Sequence, residues 1–372
     1  MTNGGRSTRR DFLRGWAAVD ALASAVAGPI EELAAARTPS PQQTSSPLLS
    51  LQRRAMACEF EVQLPAGRHD GAAGHALAAL DLVEALEDQL SIYRPHTEVM
   101  RINRAAAARP VEVERRLFAL FQMAAELHAD TGGAFDITSG PLSKVWGFSQ
   151  REGRMPTDDE VAAALERIGM SHVALDATNR TVEFRRPGLS LHLNCIGKGY
   201  ALDRMGELLD SAGVGDYLLH GGQSSVVARR IGPGMSAAGW SIGVPHPLAP
   251  GERLGEVALV NEALGTSGSG TQFFEHEGRR YGHLLDPRTG RPVDGLYSAT
   301  AIARTGAEAD ALSTAFYVMG VDATAAFCAE HPDVAAILVG DGGENGEVRV
   351  STFGLAADRW RPTNGANCES LQ

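Results

Sequence analysis

The stretch from Tyr281 to Val293 reads YGHLLDPRTGRPV and sets a histidine, an aspartate and two arginines among turn formers and small apolar residues. Asp286-Pro287 followed by Thr289-Gly290 predicts a turn between two short strands, because proline presets one dihedral and glycine accepts positive φ. Such a turn could gather His283, Asp286, Arg288 and Arg291 at one end, where a proton or a phosphate is handled. The same residues also suit a surface turn held by a salt bridge. In LNCIGKGYALDRM (Leu193–Met205) a strand is expected to end at Asn194 and a helix to start at Lys198, with a glycine on each side of the lysine and Asp203 and Arg204 one to two turns in. A lysine and free amides at a helix N-terminus favour phosphate. TGAEADALSTAFYVMG (Thr305–Gly320) places Asp310 and Thr314 four apart, on one helical face. Both are oxygen donors of the kind a hard cation such as magnesium takes, although a solvated acid and a helix-interior threonine would look the same.

Three further stretches carry weaker signals. LSIYRPHTEVMRINR (Leu90–Arg104) brings Tyr93, Glu98 and Asn103 into what reads as a loop. TGGAFDITSGPLSKVWGF (Thr131–Phe148) holds Asp136 among glycines, a proline and the large aromatics Phe135 and Trp146, a composition unlike a regular element. Its freed amides could hold an anion and its rings could bear a planar ligand. HGGQSSVVA (His220–Ala228) and the Ser267, Gly268, Gly270 group read as glycine-serine turns. HExxH, GxGxxG and GxxxxGK[ST] are absent from the sequence.

The elements that must position these residues follow from periodicity. EFEVQL, HVALDATNRTVEFRR with a turn at Asn179, LSLHLN, WSIGV, EVALV and YSATAIA alternate as strands do. Residues 71–90 and 113–133 have helical spacing, the second stopping at Gly132, and Thr157 with Glu160 makes a capping box for a third helix. Two more helices are expected from Lys198 and near Glu308. Strands and helices in mixed order, with hairpins, predict an α+β domain of mixed, largely antiparallel sheets rather than a doubly wound parallel sheet.

The 372 residues, 44% of them apolar and 21% charged, suit a soluble globular protein with chain enough for a sizeable core. Forty-five acids against 34 bases, a net charge of -11, argue against a nucleic-acid partner, and no run of eighteen apolar residues predicts a transmembrane span. Cys58, Cys195, Cys328 and Cys368 are far apart and form no CxxC pair. At the N-terminus, STRRDFLRG and the small and apolar residues after it resemble a twin-arginine export signal, with Asp20 a departure inside the apolar region. The expected organisation is a signal segment over 1–36, a Pro/Ser-rich linker over 37–50, one domain over 51–362 and a tail over 363–372, the protein being periplasmic or associated with the outer face of the inner membrane.

Taken in order, GGAFDITSGPLSKVWGF, CIGKGYALD, HGGQSS, TSGSGTQFFEHEGRRYGHLLDPRTGRPV and ADALSTAFYVMG resemble the motifs of the ApbE family, the FAD:protein FMN transferases, over roughly Met56 to Gly320. The resemblance implies a magnesium-dependent enzyme that splits the pyrophosphate of FAD and joins FMN to a threonine or serine of an acceptor protein, releasing AMP. It implies FAD contacts at Met56, Tyr93, Ala134, Phe135, Asp136, Lys198 and Leu284. It also implies metal ligation by Asp310, Thr314 and the backbone carbonyl of Cys195, with His283 as general base and Asp286 orienting it. His192 and Gln223 depart from the family pattern, the first where a carboxylate is usual. An FAD pyrophosphatase giving free FMN and AMP, or a non-catalytic periplasmic FAD-binding protein, would carry much the same residues.

Overall fold

The computed structural model describes residues 47–230, 239–268, 270, 272–343, 347–363 and 367–370. The arginine pair, the rest of segment 1–36 and the linker up to residue 46 lie outside the described residues. Nine strands form one sheet whose spatial order follows chain order: β1 (Leu48–Ala55), β2 (Cys58–Pro65), β3 (Tyr217–Gly221), β4 (Ser225–Arg229), β5 (Glu262–Gly268), β6 (Leu296–Ala303), β7 (Ala335–Asp341), β8 (Val348–Phe353) and β9 (Asn367–Ser370). All neighbours pair antiparallel except β8 and β9, which run parallel. The expected α+β class with a mixed, largely antiparallel sheet is therefore what the chain adopts.

Both faces of this sheet are covered, which explains why its central strands read as nearly continuous apolar runs. Leu219, Val227, Ala263, Ala299, Ala301 and Leu338 face the helical side. Their immediate neighbours Leu218, Val226, Leu264, Ile302 and Ile337 face a second core closed by the strands Trp240–Pro245, Arg253–Leu259 and Trp360–Pro362. Alternate residues of a strand point to opposite faces, so each run feeds two cores. The helices are α1 (Ala72–Leu90), α2 (Glu98–Ala105), α3 (Arg115–Asp130), α4 (Gly140–Val145), α5 (Asp158–Leu165), α6 (Gly197–Ser211) and α7 (Gly306–Glu330); all but α4 and α5 pack into the helical-side core, and those two join a separate cluster with Trp146 and Phe274.

Small residues decide how closely the helices approach. A Cβ on Gly265 of β5 would lie 2.5 Å from the Ala309 carbonyl of α7, so only glycine lets that helix lie against the strand. α7 is long and apolar enough to cross a membrane by composition, yet Gly320 breaks it at φ 77° and just over half of its most apolar window is buried in this core. The predicted capping box forms at α5: Thr157 Oγ1 accepts from the Glu160 amide and Glu160 from that of Thr157. The hairpin around Asn179 also forms, with Val173–Asp176 paired to Thr181–Phe184.

Four local expectations are corrected. LSLHLN is not a strand: Leu189, Leu191 and Leu193 are buried in alternation as expected, but residues 189–193 have no strand neighbour. In place of one, the Asn103 side chain brackets Leu191, its Nδ2 donating to the carbonyl at 3.0 Å and its Oδ1 accepting from the amide at 2.7 Å. The segment after Tyr93 is a helix, α2, capped by Thr97. Gly140–Val145 of the glycine-rich stretch is likewise a short helix. Ser267 and Gly268 end β5 rather than forming a turn.

Candidate active site

Two helices begin at one place. α6 starts at Gly197 with Lys198 in its first turn, and α7 starts at Gly306 with Asp310 one turn in. They touch through glycine, since a Cβ on Gly199 would lie 1.9 Å from the Gly306 carbonyl oxygen. Asp310 is buried, and both its oxygens are engaged: Oδ2 accepts from the Gly199 amide at 2.7 Å and Oδ1 from Ser225 Oγ at 2.6 Å. Lys198 Nζ stands 3.9 Å from Oδ2, at the outer limit of an ion pair. Thr314 Oγ1 reaches back to the Asp310 carbonyl at 3.3 Å, and Ser267 Oγ lies 3.1 Å from it and 2.9 Å from Ser313 Oγ. Reciprocally, Asp203 of α6 accepts from the Gly306 and Ala307 amides at 2.6 and 2.9 Å. Burial pushes Asp203 up to about 7, against those two amides, which hold it down.

The predicted residues Lys198, Asp310 and Thr314 are thus brought together, and Cys195 stands in the turn that leads into α6. Burial pushes the Cys195 thiol up to about 12, and a hard cation prefers oxygen, so its backbone carbonyl is the better candidate ligand. Each Asp310 oxygen accepts one bond and retains a lone pair, and Thr314, Ser267 and the Cys195 carbonyl add neutral oxygens. This donor chemistry fits a hard divalent cation that takes its remaining ligands from phosphate and water. Among the described residues no three His, Cys, Asp or Glu side chains cluster as a metal site would, and Asp310 is the single carboxylate in this set of donors.

His283 lies between the strand Arg279–Gly282 and the two-residue strand Leu285–Asp286. Its amide and its Nδ1 both donate to the Gln272 carbonyl, each at 3.1 Å. That contact fixes the tautomer with the proton on Nδ1 and leaves Nε2 as an acceptor. Burial lowers the imidazole below its usual value, and the nearby charge of Lys198 lowers it further, while the Gln272 bond opposes them. The imidazole is therefore neutral at pH 7 and carries a basic nitrogen. The role expected of Asp286 is corrected: its carboxylate is taken by Arg288, with Nε to Oδ1 and Nη2 to Oδ2 both at 2.9 Å, and Gln272 orients the histidine instead. Arg291 pairs with Asp158 at the surface.

The glycine-rich stretch meets this turn. Trp146 Nε1 donates to the Gly290 carbonyl at 2.8 Å, and a Cβ on Gly133 would lie 3.7 Å from Arg288 Cγ. Phe135 and Trp146, expected to bear a planar ring, are fully buried and offer no face; they pack into two separate apolar clusters. Ala134 is buried with them, leaving backbone groups as the only contacts Ala134 and Phe135 can make. Asp136 is buried and accepts from the Thr138 amide and hydroxyl at 2.7 and 2.6 Å. Burial holds its carboxyl above the ordinary range despite those bonds and the adjacent His128. Leu284 is partly buried against the main core.

Met56 forms the β1–β2 turn with Ala57, both at positive φ, 50° and 59°. The next residue, Cys58, touches Gly222, where a Cβ would lie 2.9 Å from Cys58 Cβ and 3.9 Å from Lys198 Cδ. Tyr93 is 67% exposed and receives a long bond, 3.5 Å, from Asn194 Nδ2. It lines a cleft of about 1980 Å³ together with Asn103, Gly140, Lys144, His192 and Phe274. That volume exceeds the few hundred to roughly 1,000 Å³ of ordinary small-molecule pockets. Lys198, Asp310 and Thr314 are not in its lining, and the link between the cleft and the start of α6 is the Tyr93–Asn194 contact. Burial pushes His192 down to about 4, making it a neutral wall of the cleft.

Sequence reasoning gave no role to Ser225 or Ser313 and read Ser267 only as part of a turn. HGGQSS and TSGSG contained two of the three serines, but nothing in their spacing shows that β4 and β5 carry them to one helix.

Residues 56–338 match the ApbE family. An FAD:protein FMN transferase of Klebsiella pneumoniae (strain 342) is 32% identical over 267 residues, 71% of this chain and 81% of its own length. The FAD:protein FMN transferase of Vibrio cholerae O395 is 32% identical over 244 residues, covering 64% of this chain and 71% of that one. Among solved structures, the ApbE protein of Thermotoga maritima superposes with a TM-score of 0.72 at 29% identity, over 80% of this chain and 96% of its own. The apo form of the Pseudomonas stutzeri flavinyl transferase ApbE gives 0.72 at 28%, over 84% and 96%.

Proposed function

The chain belongs to the ApbE family, and we propose that it transfers FMN from FAD to a threonine or serine hydroxyl of an acceptor protein, releasing AMP. The observation that carries this reading is the meeting of Lys198, the Gly199 amide and Asp310 where α6 and α7 both begin. Lys198 and the partial positive charge of two helix N-termini favour a phosphate here, while the Gly199, Gly306 and Ala307 amides themselves are held by Asp310 and Asp203. Phosphoryl transfer asks a protein chiefly to position its reactants and to stabilise charge on the phosphate oxygens. The long cleft beside Tyr93 and His192 has room for a dinucleotide, whose pyrophosphate would reach from it to the helix termini. Magnesium, held by Asp310, Thr314 and the Cys195 carbonyl, would supply Lewis-acid stabilisation of the phosphate charge.

In this scheme the acceptor hydroxyl attacks the FMN phosphorus, and the bond to the AMP phosphate oxygen breaks. Nε2 of His283 takes the hydroxyl proton. A histidine held neutral, with its Nδ1 proton fixed on Gln272, is ready for that step at neutral pH. Lys198 draws the transferring phosphate toward the helix termini. We further infer delivery by a twin-arginine route to the periplasm or the outer face of the inner membrane, supported by Arg9-Arg10 and the small and apolar residues after them.

Mass spectrometry of products tests the reaction. The full chain is mixed with FAD, magnesium and a candidate acceptor domain that bears a threonine. An acceptor heavier by one FMN, with equimolar AMP, is the expected result. Free FMN and AMP beside an unmodified acceptor, repeated across acceptors, would make the protein a pyrophosphatase instead.

A further inference from the structure

The two helices that carry the site are joined by two carboxylates acting in opposite directions. Asp310 on α7 accepts from the Gly199 amide of α6, and Asp203 on α6 accepts from the Gly306 and Ala307 amides of α7. Gly199 and Asp203 are four apart on one helix, as Gly306 and Asp310 are on the other, so each pair occupies one face over a single turn. Between the two bonded pairs the backbones touch, with room for no Cβ at Gly199. Both helices point their N-termini at this contact, and the partial positive charges of those termini repel one another unless an anion lies between them.

We propose that Asp203 is a positioning residue for the reaction: by clamping the first turn of α7 to α6, it fixes Asp310 opposite Lys198 and the Gly199 amide. Asp203 makes no hydrogen bond to Lys198 or Asp310; it acts on the site through the α7 backbone, beside a like-charge interaction with Asp310. Both its oxygens are used, one per amide, so the clamp fixes orientation as well as distance. The inference rests on the phosphate-handling reading of Lys198 and Asp310. Its test includes a readout that needs no turnover.

Asp203→Asn in the full chain keeps the shape but sets an NH2 group against one of the two backbone amides. Hydrogen exchange at Gly199 is the discriminating measurement, because that amide is bonded to Asp310 and not to Asp203. Exchange at Gly199 is expected to quicken by about tenfold or more, together with that at Gly306 and Ala307. The kcat for FMN transfer is expected to fall about tenfold with the KM for FAD within about twofold, as displaced catalytic geometry does. Faster exchange at Gly306 and Ala307 with Gly199 unchanged, or a raised KM at constant kcat, overturns the proposal.

Thr305→Ala separates positioning from simple loss of stability. Thr305 caps the same turn by accepting from the Glu308 amide at 3.2 Å, without touching the clamp. That variant is expected to leave Gly199 exchange and kcat within about twofold of wild type; effects equal to those of Asp203→Asn overturn the proposal. If Asp203→Asn does not fold, the wild-type chain decides the matter. One common opening then predicts protection factors for Gly199, Gly306 and Ala307 within about threefold of each other, and independent exchange of Gly199 overturns it.

Discussion

Gly199→Ala puts the closest contact in the site under direct test. The added methyl would begin 1.9 Å from the Gly306 oxygen, 2.2 Å from its carbonyl carbon and 2.7 Å from the Ala307 nitrogen. All three are backbone atoms in the first turn of α7, so no side chain can swing aside to make room. The carbonyl must retreat by about 1 Å to reach the 3.0 Å below which real Cβ contacts are essentially never seen. That movement carries Asp310 away from Lys198. Overpacking of this kind costs about 1–3 kcal/mol, which for a domain of this size lowers Tm by roughly 2–5 °C. A displacement near 1 Å in a positioned site costs about 10²-fold in rate. Gly306→Ala is the milder companion, its Cβ lying 2.5 Å from the Gly199 oxygen, and should lose less of both. Gly74→Ala, with nothing within 4 Å, controls for glycine replacement and should keep full activity. The assay is FMN transfer to an acceptor domain at saturating FAD, beside calorimetric unfolding. Wild-type kcat and Tm in Gly199→Ala would refute the argument that the α6–α7 approach sets the site.

His283→Gln keeps a polar group but removes the base. The kcat for transfer should fall about 10²- to 10⁴-fold with KM for FAD little changed, and a loss confined to KM would make His283 a binding residue. In the wild-type pH profile of kcat/KM the acid limb should have its midpoint below 6.5, because burial lowers His283 from that value; a midpoint above it contradicts the neutral-base assignment. For stability the sign runs the same way, since the unfolded chain takes protons on His283 and His192 near 6.5 while the fold resists them. Their contribution is complete above pH 6.5 and is lost as the pH falls, for His192 down to about 4. His192→Gln should flatten the decline of Tm between pH 6.5 and 4, and an unchanged slope would assign the acid loss to other groups. Arg9→Lys combined with Arg10→Lys should keep the protein in the cytoplasm, read by cell fractionation, and undiminished delivery across the membrane would remove the twin-arginine reading.

Periodicity and turn chemistry made most of the architecture legible, and where they failed the reason is local. Leu189, Leu191 and Leu193 alternate because one side of the segment is buried, and alternation reports that burial rather than a ladder. Asn103 supplies the two hydrogen bonds a neighbouring strand would have made. Glu98, also singled out for chemistry, likewise works in the frame: its carboxylate accepts from the Glu114 amide at 2.9 Å and from Gln89 Nε2 at 2.9 Å. In both cases a polar residue in an apparent loop is serving the backbone of a distant segment. Asp310 and Thr314 were legible because helical spacing alone puts them on one face. Ser225 was not, since its place beside Asp310 depends on the pairing of β4 with β5 and on the glycine that lets α7 approach.

The same distinction accounts for Asp286. A carboxylate three residues from a histidine looks like its orienting partner, and the intervening leucines offer nothing better. The turn that follows, however, returns Arg288 to within reach of both carboxylate oxygens, and a bidentate pair of this kind outcompetes a single bond to an imidazole. Orientation of His283 then falls to a carbonyl eleven residues upstream, at the entry to the hairpin Phe273–Gly282. A neutral acceptor has a chemical consequence that a carboxylate would not. It fixes the tautomer and favours the imidazolium only weakly, so burial outweighs it and the histidine remains a base of lowered affinity for protons, next to the charge of Lys198. In the proposed reaction such a base would take its proton late, as the hydroxyl oxygen loses charge to phosphorus, and would return it readily once the transfer is complete.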